Sequence, residues 1–163
     1  MDEHPAFARD LLLITGIPGT GKTTYGDKFA EEFGFLHCDL EDQETLNRFN
    51  TDPMQFIGEL LNQRKNVVVT WGFGPDCERS VFLVQQLENA EFKWIWFDGN
   101  RAAALREFRK RGKPTEQALS IQISRIESSR IVERLKPIVI NSFDHRGQFK
   151  PTKELLAEIR ASK

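Results

Sequence analysis

The sequence predicts an α/β protein: a three-layer α/β/α sandwich around a five-stranded parallel sheet. Two observations predict it. Segments that read as strands alternate with segments that read as helices along nearly the whole chain, and a glycine-rich bend follows the first apolar run directly. Alternation of that kind is what a parallel sheet requires, because its helical crossovers must cover both faces. The chain has 163 residues, enough for one domain with a real core, and no linker, repeat or low-complexity tract divides it. We therefore expect residues 1–163 to form a single domain.

Each element has its own signal. Asp10 to Thr15 is the first apolar strand, and Lys22 to Phe33 follows as a helix with Tyr25, Phe29, Ala30 and Phe33 at helical spacing. Gly34 stops that helix at a position that tolerates left-handed backbone. Phe35 to Cys38 falls where the crossover helix must deliver a second strand. Glu41 to Arg64 reads as two helices broken before Pro53, whose ring clashes with a continuing helix. Asn66 to Trp71 is the third strand, and Asp76 after Pro75 is the expected N-cap of a helix through Leu87. Phe92 to Phe97 is the fourth strand, in which Trp94 and Trp96 are expected on opposite faces with at least one in the core. Asn100 to Arg111 and Glu116 to Leu135 are two further helices, separated by Gly112-Lys113-Pro114. Pro137 to Asn141 is the fifth strand and Thr152 to Ala161 the last helix.

Composition excludes several classes of function. A net charge of -1 supplies no general attraction for nucleic acid or anionic membrane, so any positive field must be local and a small-molecule partner is favoured. Cys38 and Cys77 lack zinc-ligand spacing and do not suggest a disulfide framework, which suits a reducing cytoplasm. The N-terminus starts Met1-Asp2-Glu3, acidic where a secretory leader carries Lys or Arg, and no apolar stretch approaches bilayer-spanning length.

The bend itself, Gly16-Ile17-Pro18-Gly19-Thr20-Gly21-Lys22-Thr23, fits G-x-x-x-x-G-K-[ST]. In such a loop, backbone N–H groups wrap a polyphosphate, Lys reaches the β and γ phosphates, and the Thr hydroxyl meets Mg²⁺. The helix opening near Lys22 adds its positive end. Gly16, Pro18, Gly19, Thr20, Gly21, Lys22, Thr23 and Thr24 are thus the candidate nucleotide-binding residues, with Thr23 the candidate magnesium ligand. Thr24 reads almost equally well as a threonine that packs its helix.

With this loop at the first strand, the chain resembles the small P-loop kinases: adenylate, shikimate and gluconate kinases. Three further matches carry the resemblance. Asp39 follows the short second strand, where shikimate-type kinases place an acidic residue near the acceptor hydroxyl. Trp71-Gly72-Phe73-Gly74-Pro75 is similar to the Asp-Gly-Phe-Pro-Arg run of adenylate kinases, and Leu105 to Arg111 resembles the basic helix leading into their lid. The resemblance implies strand order 2-3-1-4-5, ATP and Mg²⁺ as cofactors, a mobile flap at 41–64 and a lid at 106–116. It also implies Arg106 near the base, Arg111 near the phosphates, and an adenine-framing loop at Asn141 to Gly147. Departures are visible. Trp71 stands where adenylate kinases have Asp, which argues against a nucleoside monophosphate acceptor, and Val67 to Thr70 ends without the usual carboxylate.

The catalytic candidates are therefore Lys22, Asp39, Arg106 and Arg111. Lys22 is a flexible point charge suited to a migrating phosphate. Asp39 reads either as the group that orients or deprotonates the acceptor hydroxyl, or as a helix N-cap within Asp39-Leu40-Glu41-Asp42. Arg106, Arg109, Lys110 and Arg111 read as phosphate clamps or as a solvated helix face. Arg48, Trp71, Phe73 and Arg79 are candidate acceptor contacts, with surface or core packing as the alternative. The expected activity is transfer of the γ-phosphate of ATP to a small-molecule acceptor. Two alternatives stay open: a nucleotide-binding switch or regulatory ATPase working through a protein partner, and a kinase of polynucleotide 5′ ends.

Overall fold

The computed structural model describes residues 9–72, 78–111 and 116–163. Along them run β1 (Leu11–Gly16), α1 (Lys22–Phe33), β2 (Leu36–Asp39), α2 (Gln43–Thr51), α3 (Pro53–Asn62), β3 (Val67–Thr70) and α4 (Glu78–Asn89). After these come β4 (Lys93–Phe97), α5 (Arg101–Lys110), α6 (Glu116–Ser129), α7 (Ile131–Leu135), β5 (Ile138–Ile140) and α8 (Thr152–Ala161). The five strands form one sheet in the order β2-β3-β1-β4-β5, every pairing parallel, as the resemblance implied. The expected cap Asp76, the candidate contact Phe73 and the Gly112-Lys113-Pro114 break lie outside the described residues.

Alternation along the strands divides the core between two faces. Leu12, Ile14, Val68, Ile95 and Phe97 meet Tyr25 and Phe29 of α1 and Leu155, Leu156 and Ile159 of α8. Leu13, Val67, Val69, Trp94 and Trp96 meet the helices of the opposite layer, through Phe49, Phe56, Leu83, Val84 and Ile131 among others. Trp94 and Trp96 thus share a face, contrary to the expectation above. Residues two apart on a strand point the same way, and both rings are buried. Each fully buried aromatic of this kind contributes on the order of 1.5–3 kcal/mol over exposure.

A second correction concerns residues 116–135, which are two helices and not one. Arg130 takes φ 55°, a left-handed turn that separates α6 from α7. Ser129 makes the break without glycine or proline: its Oγ donates to the Ile126 carbonyl at 2.7 Å and accepts from the Ile131 N–H at 3.2 Å. The redirected chain buries Ile131 completely. The break before Pro53 falls as expected, with Asp52 capping α3 through the Gln55 N–H at 3.1 Å.

Strand register sets up the functional edge. Ile14 of β1 and Asp39 of β2 both pair with Thr70 at the end of β3. The carboxyl ends of three adjacent strands therefore open together, at the edge where parallel α/β sheets receive ligands.

Candidate functional site

The bend between β1 and α1 is held in an unusual backbone path. Gly16 has φ 138° and Gly19 φ 84°, both in the region that side chains rarely enter. A Cβ on Gly16 would lie 2.3 Å from the Phe97 carbonyl oxygen, and one on Gly19 would lie 2.1 Å from that of Ala104. Both glycines are thus where the loop presses against neighbouring backbone, Gly16 on β4 and Gly19 on α5. Thr20 Oγ1 donates to the Ile17 carbonyl at 2.6 Å and closes the turn from inside. The loop is also tied from behind. Ser142 Oγ donates to the Thr20 carbonyl at 2.7 Å, and the Tyr25 hydroxyl sits 2.6 Å from the Lys150 carbonyl and 3.2 Å from that of Ser142. Gly21 is the N-cap of α1, so the positive end of that helix faces the bend.

Lys22 opens α1 with its side chain folded into the bend. Nζ donates to the carbonyls of Ile17 at 3.1 Å and Gly16 at 3.3 Å, and the residue is buried. Burial pulls its pKa from the ordinary 10.5 to about 8, with Arg111 pushing the same way while Glu41 and Asp39 oppose. Lys22 therefore titrates far earlier in the fold than in the unfolded chain. Between about 8 and 10.5 the unfolded chain binds more protons, so rising pH stabilises the fold through this residue. Lys22→Met, with no charge to bury, is expected to exceed wild type in stability at neutral pH by a margin that shrinks as pH climbs through that window. Urea denaturation of both proteins across the window checks it.

Asp39 ends β2 beside the bend. One carboxylate oxygen accepts from the Glu41 N–H at 3.0 Å and from the Thr70 hydroxyl at 3.4 Å, and the other meets the Thr23 hydroxyl at 3.5 Å. The N-cap of α2 is Asp42, which accepts from the Thr45 N–H at 3.1 Å and the Thr45 hydroxyl at 2.6 Å. The helix-cap role open to Asp39 thus belongs to its neighbour, and Asp39 faces Thr23. Cys38, adjacent in sequence, is buried with its thiol pushed up to about 12, chiefly by desolvation, and offers no nucleophile.

A cleft of about 610 Å³ opens over these groups. Pro18, Lys22, Thr23 and Thr24 line it from the bend and α1, together with Glu41, Gly72, Phe108, Arg111 and Gln122. Of the sequence candidates, the structure brings Lys22, Thr23, Thr24 and Arg111 into one cavity, with Asp39 touching Thr23. Arg106 lies elsewhere: it donates to the Gly147 carbonyl and pairs with Glu107, against the loop that follows β5. That loop is built on Asp144, whose Oδ1 accepts from the N–H groups of Arg146 and Gln148, and on Phe143 stacked against Phe149 at 4.8 Å between centroids.

Three acceptor candidates have other partners. Arg48 pairs with Glu59 at 2.6 Å and lies over the Phe56 ring, bridging α2 and α3. Arg79 donates to the side chain and carbonyl of Asn50 and covers Phe82. Trp71 is 5% exposed and meets Phe49 edge-on. The sequence reading missed Glu41, Phe108 and Gln122. Glu41 accepts from the Gly72 N–H at 2.8 Å, which holds a second carboxylate beside Lys22. Its only signal was membership of an acidic run, which reads equally as a helix start. Gln122 carried no local signal at all, because α6 is far from the motif in sequence.

The arrangement is a backbone anion cradle with one buried lysine, a threonine hydroxyl and a carboxylate at its mouth. A polyphosphate suits the cradle, since the glycines allow the backbone path that turns the loop over the N-terminus of α1. The Thr23 hydroxyl with phosphate oxygens is the hard donor set that magnesium takes. Among the described residues, no helix is long and apolar enough to cross a membrane.

No family model matches the chain. A segment of 59 residues, 36% of the chain, is 41% identical to the cilia- and flagella-associated protein 206 of Tetrahymena thermophila, of whose length the match spans 8%. Solved structures resemble it over nearly its whole length. Shikimate kinase of Bacteroides thetaiotaomicron superposes with a TM-score of 0.58 at 19% identity, covering 94% of this chain and 95% of that one. Shikimate kinase of Acinetobacter baumannii, in complex with shikimate, gives 0.57 at 18% identity, covering 94% of each. A gluconokinase of Sinorhizobium meliloti 1021 gives 0.55 at 17%, covering 93% of this chain and 91% of that one. Sheet order, glycine bend and these likenesses together give the chain the fold of the P-loop small-molecule kinases.

Proposed function

We propose that the protein is an ATP- and Mg²⁺-dependent phosphotransferase that moves the γ-phosphate to a hydroxyl of a small molecule. The observation that carries this reading is the single cleft in which Lys22, Thr23 and Arg111 converge, with the Asp39 carboxylate against Thr23. Backbone N–H groups of residues 16–23 and the N-terminus of α1 hold the nucleotide's phosphates. The acceptor oxygen attacks the γ-phosphorus, the bond to the bridging oxygen breaks, ADP departs, and Asp39 takes the acceptor's proton. Lys22 follows the transferred charge, and Arg111 neutralises it from the lid side. The Thr23 hydroxyl would hold a magnesium ion, which would supply further neutralisation of the phosphates.

Arg106 and the loop of residues 141–149 form the base side of the site in this scheme. The α2–α3 hairpin, pinned to α4 through Arg79 and Asn50, is the flap that excludes water as a competing acceptor. Glu41 adds acidity to the acceptor side, which favours a neutral or polyhydroxylated acceptor over an anionic one.

The test is a screen of hydroxylated metabolites, nucleosides and nucleoside monophosphates for acceptor-dependent ATP consumption, with Asp39→Asn alongside. Asp39→Asn is expected to lower acceptor-dependent turnover about 10²–10⁴-fold while leaving ATP affinity within a few-fold by calorimetry. Equal turnover in the variant would remove Asp39 from the chemistry. A second reading, a nucleotide-dependent switch acting through a protein contact, draws on the segment shared with the cilia- and flagella-associated protein. Rapid ATP hydrolysis indifferent to every metabolite, with partner binding that changes between nucleotide states, would favour it.

A further inference from the structure

Behind Asp39, the Thr70 hydroxyl leads to two side chains that nothing above uses. Asp27 on α1, 70% exposed, meets His37 Nδ1 at 2.9 Å. His37 lies on β2 with its side chain 9% exposed, and its Nε2 meets the Thr70 hydroxyl at 2.8 Å. Thr70 Oγ1 lies 3.4 Å from Asp39, whose second oxygen faces Thr23. The hydroxyl of Thr70 thus stands between an imidazole and a carboxylate: with Nε2 donating to its oxygen, its one proton is directed to Asp39.

A separate observation shows that the imidazole's place is built. Gly26 sits in the middle of α1, where glycine weakens a helix. A Cβ there would lie 2.3 Å from His37 Nε2, 2.6 Å from Cε1 and 2.7 Å from Cδ2. The helix gives up a side chain at the one position where the His37 ring needs the space. His37 and Asp39 are two apart on β2 and share a face, and Thr70 is the register partner of Asp39 on β3. The ring can therefore reach the hydroxyl beside the carboxylate without any loop between them.

We infer that His37 and Thr70 are positioning residues for Asp39: the Asp27-anchored imidazole locks the Thr70 hydroxyl, which fixes the carboxylate against Thr23 and toward the acceptor. The inference rests on the phosphotransferase reading for its consequence, though its geometry stands apart from that reading. Thr70 occupies the strand end where a carboxylate was expected from the resemblance. In this chain the hydroxyl there serves the carboxylate of the neighbouring strand.

The test uses the full chain with ¹³C-labelled aspartate. The side-chain ¹³C resonance of Asp39, assigned by its loss in Asp39→Asn, is recorded in wild type, Thr70→Val, Thr70→Ser, His37→Ala and Gly26→Ala at neutral pH. Thr70→Val keeps the shape of the side chain and removes the hydroxyl, and Gly26→Ala displaces the ring without touching Asp39 or Thr70. The resonance is expected to move in Thr70→Val, His37→Ala and Gly26→Ala and to return to the wild-type position in Thr70→Ser. In a parallel assay with Mg-ATP and water as the acceptor, kcat should fall about tenfold in the three displaced variants, with KM for ATP unchanged and Thr70→Ser restored. An Asp39 resonance unmoved by Thr70→Val and Gly26→Ala in folded protein overturns the inference. A moved resonance with no Mg-ATP binding in wild type would sustain the positioning and sink the phosphotransferase instead.

Discussion

Lys22→Ala is expected to reduce acceptor-dependent phosphoryl transfer about 10²–10³-fold, while weakening nucleotide affinity by about tenfold or less. The asymmetry follows from where the charge is needed. In the proposed scheme several backbone amides and the α1 terminus hold the phosphates at rest, so loss of one cation would be partly covered. The transferred group builds charge away from those fixed donors, and only a flexible side chain can follow it. In the structure the ammonium rests on the Ile17 and Gly16 carbonyls, inside the bend and beside Glu41, so it travels a short way to reach an incoming anion. The Lys22→Met variant used for the stability comparison should share the defect. Turnover by coupled assay and affinity by calorimetry separate the two effects; an equal loss in both would assign Lys22 to ground-state binding.

Gly16→Ala should have the largest effect on the fold, about 3–4 kcal/mol of lost stability. The substituted residue must hold φ 138°, and its Cβ would meet the oxygen, nitrogen and carbonyl carbon of Phe97 at 2.3, 2.6 and 2.9 Å. Those atoms are backbone in β4, so no rotamer relieves the contact. Relief means opening the β1–β4 pairing near Gly16 and Phe97, with loss of the Ile17 N–H to Phe97 carbonyl bond at 3.0 Å. Gly34→Ala is the control. It shares a positive φ of 72° but has no atom within 4 Å of the added Cβ, so only the conformational cost of about 1 kcal/mol applies. Urea midpoints of the two variants should differ by several-fold in their shift. Similar shifts would mean that backbone conformation, and not the contact with β4, governs Gly16.

Elements whose signals are local were legible in the sequence. The glycine spacing after an apolar strand announced the anion loop, Pro53 announced the α2–α3 break, and Gly34 announced the end of α1. Strand order came through the resemblance and agrees with the structure. Interactions between segments distant in the chain were not legible. Arg48 and Arg79 looked available as anion ligands because nothing in their neighbourhood names Glu59 or Asn50 as partners. The α6–α7 break was hidden because Ser129 makes it through two hydrogen bonds that need the folded backbone to exist. Glu41 and Asp42 exchanged their apparent roles with Asp39, since an acidic run at a helix start does not say which carboxylate faces the helix and which the cleft. Gly26 was the missed clue to His37: a glycine in mid-helix asks what approaches it.

The hitches from Ser142 and Tyr25 carry a consequence for evolution of this site. They couple the bend proposed to hold the phosphates to the segment proposed to frame a purine, through Thr20 on one side and the entry to α8 on the other. Remodelling residues 143–149 to accept a different base would pull on the cradle at Thr20 unless Ser142 and Lys150 stayed in place. Diversification should therefore be confined to the outer tip of that segment, around His145 and Arg146, while the two residues that moor it remain constant.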